Sequence, residues 1–146
     1  ETLNFSQIRK TVRGEKPAIL DPCDVLDWSL LGCKRENGQP CAAIDDAGAK
    51  SRVATSIDVY HLNHEPTCKQ RHRTALQLLQ LVADAKDKYD AIAPGDAVLE
   101  DDFADALERV VRMIKRDAPY SGEMIYLLKG QRDSGQPWIQ HIIDAC

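Results

Sequence analysis

Aromatic residues and long basic runs are both scarce in this sequence. Aromatics make up 5% of the 146 residues, and no run of Lys and Arg is longer than the pairs Lys34-Arg35 and Lys115-Arg116. The formal net charge is −4. Nucleic-acid-binding domains usually carry a basic surface, and single-strand binders add stacking aromatics, so the composition argues against a nucleic-acid partner.

A long apolar run and the common catalytic motifs are also missing. No stretch approaches the roughly 20 apolar residues of a membrane-spanning helix. The sequence has no glycine-rich nucleotide loop, zinc-protease helix or hydrolase nucleophile elbow. We therefore expect no membrane span, and a protein that works by binding another protein rather than by catalysis.

The cysteines are scattered along the chain, and none forms a C-x-x-C pair. Zinc ribbons and thioredoxin-like sites use such close pairs, so the spacing favours disulfides, with one thiol left free or paired with another chain. This interpretation predicts a periplasmic or secreted protein, with a cytoplasmic location as the alternative. The chain starts at Glu1, and the sequence does not say whether a leader or a tag has been removed. The disulfide candidates are Cys23, Cys33, Cys41, Cys68 and Cys146.

Helix-forming patterns cover most of the sequence. The clearest are two long segments, 66–91 and 99–116, whose short connection predicts an antiparallel helical hairpin. A shorter helix is predicted to start at Asp21-Pro22 and to end at Gly32. Two more are predicted to start at Ser121 and Pro137.

The alternating pattern of residues 52–61 predicts a half-buried strand. The expected fold is therefore mostly α, with about five helices and at most one or two short strands, and an α+β fold is the alternative. We expect a single domain over residues 1–146, because this length suffices for one hydrophobic core. Residues 1–16 would form an N-terminal arm with freedom to move.

Three of the four histidines and one cysteine lie between His61 and His72. Because Pro66 favours the first turn of a helix, it divides this cluster into two parts. The part before it, with His61 and His64, is expected on a strand end and a turn, and Cys68 and His72 are expected on one face of the helix. The apolar residues that continue this face toward the core are Ala75, Leu76, Leu79, Val82 and Ala83.

Cys68 is open to three functional interpretations besides simple packing in the core. The first is half of a disulfide. Zinc is the alternative, with His61, His64, Cys68 and His72 as candidate ligands, since thiolate and imidazole four residues apart on a helix can meet at one ion. Cys68 is also a candidate nucleophile, with His72 or His141 as its base.

The lack of catalytic motifs together with the scattered cysteines favours a small extracytoplasmic protein-binding module held by disulfides. Such a module would be an inhibitor, an immunity-type factor or an accessory component of a secretion or transfer system, and a homodimer is one candidate oligomeric state. No cofactor is expected under this hypothesis. The alternative is an intracellular zinc-binding regulatory or nuclease-like protein, and the third option is a Cys-dependent hydrolase.

Overall fold

The computed structural model describes residues 17–145 and shows a mostly helical fold with one small antiparallel sheet, which confirms the predicted fold class. The predicted N-terminal arm, residues 1–16, and Cys146 lie outside the described residues. The elements in chain order are α1 Val25–Trp28, β1 Leu31–Cys33, β2 Pro40–Ala42, α2 Ala47–Val59, α3 Glu65–Ala91, α4 Ala97–Ile114, α5 Ser121–Lys129, a 3-10 turn at Arg132–Ser134, and α6 Pro137–Asp144.

Helices α3 and α4 form the helical hairpin that the sequence predicts. Asp96 begins α4, because its side chain accepts hydrogen bonds from the backbone N–H groups of Val98 and Leu99 at 3.1 and 3.3 Å. Tyr89 near the end of α3 packs against Phe103 near the start of α4, with 5.2 Å between ring centroids. Within residues 17–145, none of the helices combines the length and apolarity that crossing a bilayer requires.

The core lies between the hairpin and the two C-terminal helices. On α3 the buried side chains recur every three and four residues, at Cys68, Arg71, Ala75, Leu78, Val82 and Ala85. They meet buried side chains of α4, α5 and α6, which include Val110, Ile114, Met124, Leu128 and Ile139. This spacing fixes which face of α3 points inward.

The predicted inward face of α3 is therefore partly wrong. Leu76 is 51% exposed, Ala83 is exposed and Leu79 is only half-buried. The buried face is rotated away from these residues and includes Arg71, a polar residue that a search for apolar residues passes over.

The strand predicted at residues 52–61 is also wrong, because residues 47–59 form helix α2. Asp46 caps this helix by accepting from the backbone N–H of Ala49 at 2.8 Å. Ala49, Val53 and Ser56 are buried at intervals of three and four residues, which is helical spacing. The β-branched residues alternate along the segment, but no neighbouring strand pairs with it in the described part of the chain, and tertiary packing overrides the local preference.

An ion pair links α2 to the turn around α1. Arg52 donates to both carboxylate oxygens of Asp27, at 2.8 Å to Oδ1, and to the carbonyl oxygen of Ile19 at 3.0 Å. The Asp27 carboxylate also accepts from the backbone N–H of Asp21 at 2.9 Å. The Arg52 guanidinium and this second hydrogen bond lower the pKa of Asp27 below its usual 3.8.

The helix predicted to run from Asp21 to Gly32 is reduced to the single turn α1. Its last two residues instead belong to β1, which pairs antiparallel with β2 in the register Leu31 to Ala42, Gly32 to Cys41 and Cys33 to Pro40. A Cβ at Gly32 would lie 2.7 Å from the ring of Tyr126 on α5, so glycine lets this strand approach that helix closely.

Candidate functional site

The structure divides the Cys/His cluster at the start of α3, as Pro66 predicts. His61 and His64 are both exposed in the turn between α2 and α3. His61 has a left-handed backbone conformation with φ of 51°, and His64 precedes α3 without a side-chain capping bond. Neither imidazole points into the core.

Cys68 and His72 lie one turn apart on α3 and contact different partners. The Cys68 sulfur is buried, 3.9 Å from the carbonyl oxygen of Leu62 and 3.9 Å from Nη1 of Arg71. Nδ1 of His72 lies 2.8 Å from the carbonyl oxygen of Arg35. Because a carbonyl oxygen can only accept, this ring nitrogen carries the proton, and His72 holds the turn that follows β1.

Arg71, between these two residues, is the functional candidate that the sequence interpretation missed. Its side chain is 2% exposed and donates to Oε1 of Glu123 at 3.1 Å and to the carbonyl oxygen of Gly38 at 2.7 Å. It also lies 3.5 Å from the carbonyl oxygen of Leu62 and 5.4 Å from the ring centroid of Tyr120. We call these five residues the Arg71 cluster. Through its Nε and Nη1 groups the buried guanidinium contacts a carboxylate and two carbonyl oxygens, and it fixes the relative positions of four segments.

The turn between β1 and β2 packs directly on the backbone of α3. Gly38 has φ of +70°, and a Cβ there would lie 2.1 Å from the carbonyl oxygen of Cys68 and 2.6 Å from the backbone nitrogen of His72. Only glycine allows this approach, because it has no side chain and accepts positive φ without strain. The turn is thus held from three directions, by the backbone of α3, by Arg71 and by His72.

The thiols on β1 and β2, Cys33 and Cys41, are poor nucleophiles. Burial raises the pKa of the Cys33 thiol to about 12, with the Glu123 carboxylate adding to this effect. Burial also raises the pKa of Cys41, while a hydrogen bond with Tyr126 acts in the opposite direction. The adjacent Cys41 in turn raises the pKa of Tyr126. Both thiols therefore stay protonated at neutral pH.

A groove lies between α3, α5 and the turn that joins β1 to β2, which we call the hairpin turn. It consists of two neighbouring cavities of about 460 and 350 Å³ that share the lining residues Arg35, Leu79 and Gln131. The further residues of the first cavity are Cys33, Lys34, Glu36, Cys41, Ala43, Tyr126, Leu127, Lys129 and Gly130. Those of the second are Leu76, Val82, Ala83 and Lys86. We refer to these lining residues together as the groove.

The groove combines an apolar floor with a basic rim. Leu76 and Leu79 contribute apolar surface, and both belong to the face of α3 that was predicted to point into the core. The charged lining residues are four cations, Lys34, Arg35, Lys86 and Lys129, and one carboxylate, Glu36.

The described residues do not bring together the predicted metal ligands. Across residues 17–145, no group of three His, Cys, Asp or Glu side chains has the arrangement of a metal site. His141 is exposed on α6, and the Cys68 sulfur contacts Leu62 and Arg71 rather than an imidazole. The zinc site and the Cys68 nucleophile stay predictions.

The cysteines in the described part of the chain, Cys23, Cys33, Cys41 and Cys68, are unpaired thiols. Cys23 is exposed, Cys41 is half-buried, and the other two are buried. The disulfide hypothesis stays a prediction for these residues and for Cys146.

Comparison of the chain with protein-family models, with curated proteins and with solved structures finds no match.

Proposed function

We propose that this chain is a protein-binding module that receives a segment of its partner in the groove. The observation that carries the proposal is an open groove lined by Leu76 and Leu79 together with basic side chains, built on helices and a turn held by buried contacts. Apolar surface arranged in this way is typical of sites for protein and peptide ligands. The predicted inhibitor, immunity-type factor or accessory component of a secretion or transfer system belongs to this class.

The supporting contacts keep the groove in shape before any partner arrives. The turn that carries Lys34 and Arg35 is held against α3 by Arg71 and His72. On the opposite side Nζ of Lys86 lies 3.3 Å from Oε1 of Gln131, which links α3 to the segment after α5. A preformed site loses less conformational entropy when it binds, so the partner needs little extra interaction energy to order it.

Selection from an unbiased displayed peptide library against the full chain tests the proposal. The blocking variant is Ala83→Trp, because Ala83 is exposed in the groove and a larger side chain there fills the groove without removing a core contact. The matched control is Ala104→Trp, since Ala104 is exposed on α4 and is not a lining residue of the groove.

We expect enriched peptides that bind the parent chain and Ala104→Trp but bind Ala83→Trp at least about tenfold more weakly, a loss of about 1.4 kcal/mol. Far-UV circular dichroism and thermal unfolding of both variants check that the fold is kept. A selection without enrichment, or peptides indifferent to Ala83→Trp, would overturn the proposal.

The predicted compartment and disulfides belong to this proposal and have their own measurement. Mass determination of protein isolated under non-reducing conditions, before and after reduction, detects disulfides directly. Finding every thiol unmodified would count against an extracytoplasmic module held by disulfides. Metal analysis of the same untagged sample tests the zinc alternative, which predicts zinc that stays bound through gel filtration.

A further inference from the structure

We infer that the partner segment is acidic, with carboxylates alternating with apolar side chains. This inference rests on the proposed function and adds the chemistry of the ligand. It starts from a contrast of charge: the whole chain has a formal charge of −4, whereas the groove has four cations and one carboxylate.

Three of the four cations in the groove have no anionic partner within the described residues. Glu36 lies 3.6 Å from Nε of Arg35 in an exposed pair. Lys34, Lys86 and Lys129 form no ion pair within residues 17–145. The field of Lys34 also reaches the groove floor, where it acts to lower the pKa of Cys41 against the larger effect of burial. Three lysines around one opening therefore favour a ligand with several negative charges.

The distribution of these charges favours a peptide over a small anion. Lys34 and Arg35 lie on the hairpin turn, Lys86 lies on α3 and Lys129 ends α5, so the cations are spread along the rim. A single phosphate or carboxylate would leave most of them unused.

The floor decides the rest of the chemistry. Leu76 is 51% exposed and Leu79 is half-buried in the groove, so a purely charged ligand would leave this apolar surface in water. A segment that alternates acidic and apolar residues satisfies both the rim and the floor. The groove offers only one aromatic ring, Tyr126, for base stacking, which disfavours single-stranded nucleic acid.

The test compares synthetic peptides that share their leucines and differ only at the residues between them, which are Glu, Gln or Lys. Binding to the full chain is followed by fluorescence anisotropy at increasing salt. A single-stranded oligonucleotide of equal charge is the fourth probe. The charge-reversal variant is Lys34→Glu combined with Lys129→Glu, and its control is Arg109→Glu, since Arg109 is exposed on α4 outside the groove.

We expect the Glu peptide to bind most tightly of the three peptides, and its affinity to fall as salt increases. Its affinity for the charge-reversal variant should be about tenfold lower than for the parent chain, and its affinity for Arg109→Glu about twofold lower or less. Equal binding of the three peptides in an Ala83→Trp-sensitive manner would overturn the acidic ligand and leave the protein-binding function standing. Absence of binding by every probe, together with a failed library selection, would overturn both.

Two other occupants are separate outcomes that each overturn the inference. Tighter binding of the oligonucleotide than of the Glu peptide would assign the groove to nucleic acid. Self-association that is lost in the Lys34→Glu and Lys129→Glu variant, measured by sedimentation, would assign it to a second copy of the chain.

Discussion

The close contact between the hairpin turn and α3 predicts how much Gly38→Ala lowers the free energy of unfolding. At this position φ is +70°, and the new Cβ would meet the backbone of Cys68 at 2.1 Å and that of His72 at 2.6 Å. Both contacts involve backbone atoms inside a helix, which have little freedom to move. The turn must therefore lift away from α3.

The expected loss has two parts. Placing alanine at positive φ costs about 1–2 kcal/mol. Lifting the turn also breaks the hydrogen bond from Arg71 to the carbonyl oxygen of Gly38, and a bond from a charged donor contributes about 1.5–3 kcal/mol. We expect Gly38→Ala to lower the free energy of unfolding by about 3–4 kcal/mol, a large part of the stability of an ordinary domain.

Gly135→Ala separates the two parts. Gly135 has φ of +77°, and a Cβ there would meet nothing within 4 Å, so only the backbone strain remains. Urea unfolding of both variants, followed by circular dichroism, should show Gly38→Ala less stable than Gly135→Ala by about 2 kcal/mol at similar m-values. Equal losses for the two variants would refute the close packing of the turn on α3.

Three further predictions concern the buried charges and the thiols. Arg71→Met should destabilise the fold by about 3–5 kcal/mol, because it leaves the Glu123 carboxylate buried without its partner. In urea unfolding, the double variant with Glu123→Leu should lose less free energy of unfolding than the sum of the two single variants. Additive losses would show that the pair is not coupled. Arg52 lowers the pKa of Asp27 in the folded protein, so the Asp27 carboxylate should stabilise the fold. This stabilisation is complete above the unfolded pKa of about 3.8 and is lost as the pH falls through the lower folded pKa. Urea midpoints measured from pH 6 to pH 2 should therefore fall less steeply in Asp27→Asn than in the parent chain. In reduced native protein at neutral pH, iodoacetamide should modify the exposed Cys23 well before the buried Cys33, whose pKa of about 12 leaves almost no thiolate, and peptide mass mapping that found Cys33 modified first would contradict the structure.

Several parts of the fold follow from local signals in the sequence. Pro66 and Pro137 mark helix starts because their missing N–H groups cost nothing there, and Asp96 caps α4. The five residues between α3 and α4 favour a helical hairpin, because short connections usually join antiparallel neighbours. These features are short-range, so a single sequence suffices to predict them.

The features that were missed depend on contacts between distant segments. Residues 52–59 have the alternation of a strand but form a helix, since Val53 and Ser56 find their packing partners on one helical face. Arg71 is buried because Glu123, 52 positions away, supplies the opposite charge. No local sequence pattern predicts that this arginine and this glutamate pair. A stricter signal was present, because Arg71 stands exactly one heptad before Leu78 and two before Ala85, but it required accepting an arginine at a core position.

The misassigned face of α3 is itself an argument about function. The predicted face consists of Ala75, Leu76, Leu79, Val82 and Ala83. The core takes only Ala75 and Val82 from it, together with the register that contains Arg71, and leaves Leu76, Leu79 and Ala83 in the groove. Burying Arg71 carries a desolvation cost that an apolar side chain would avoid, so the choice of register is not explained by stability alone. The consequence of this register is that an apolar face stays open beside four cations. A surface of that composition would gain free energy if an acidic, amphipathic segment covered it, and such a segment is the partner that we propose.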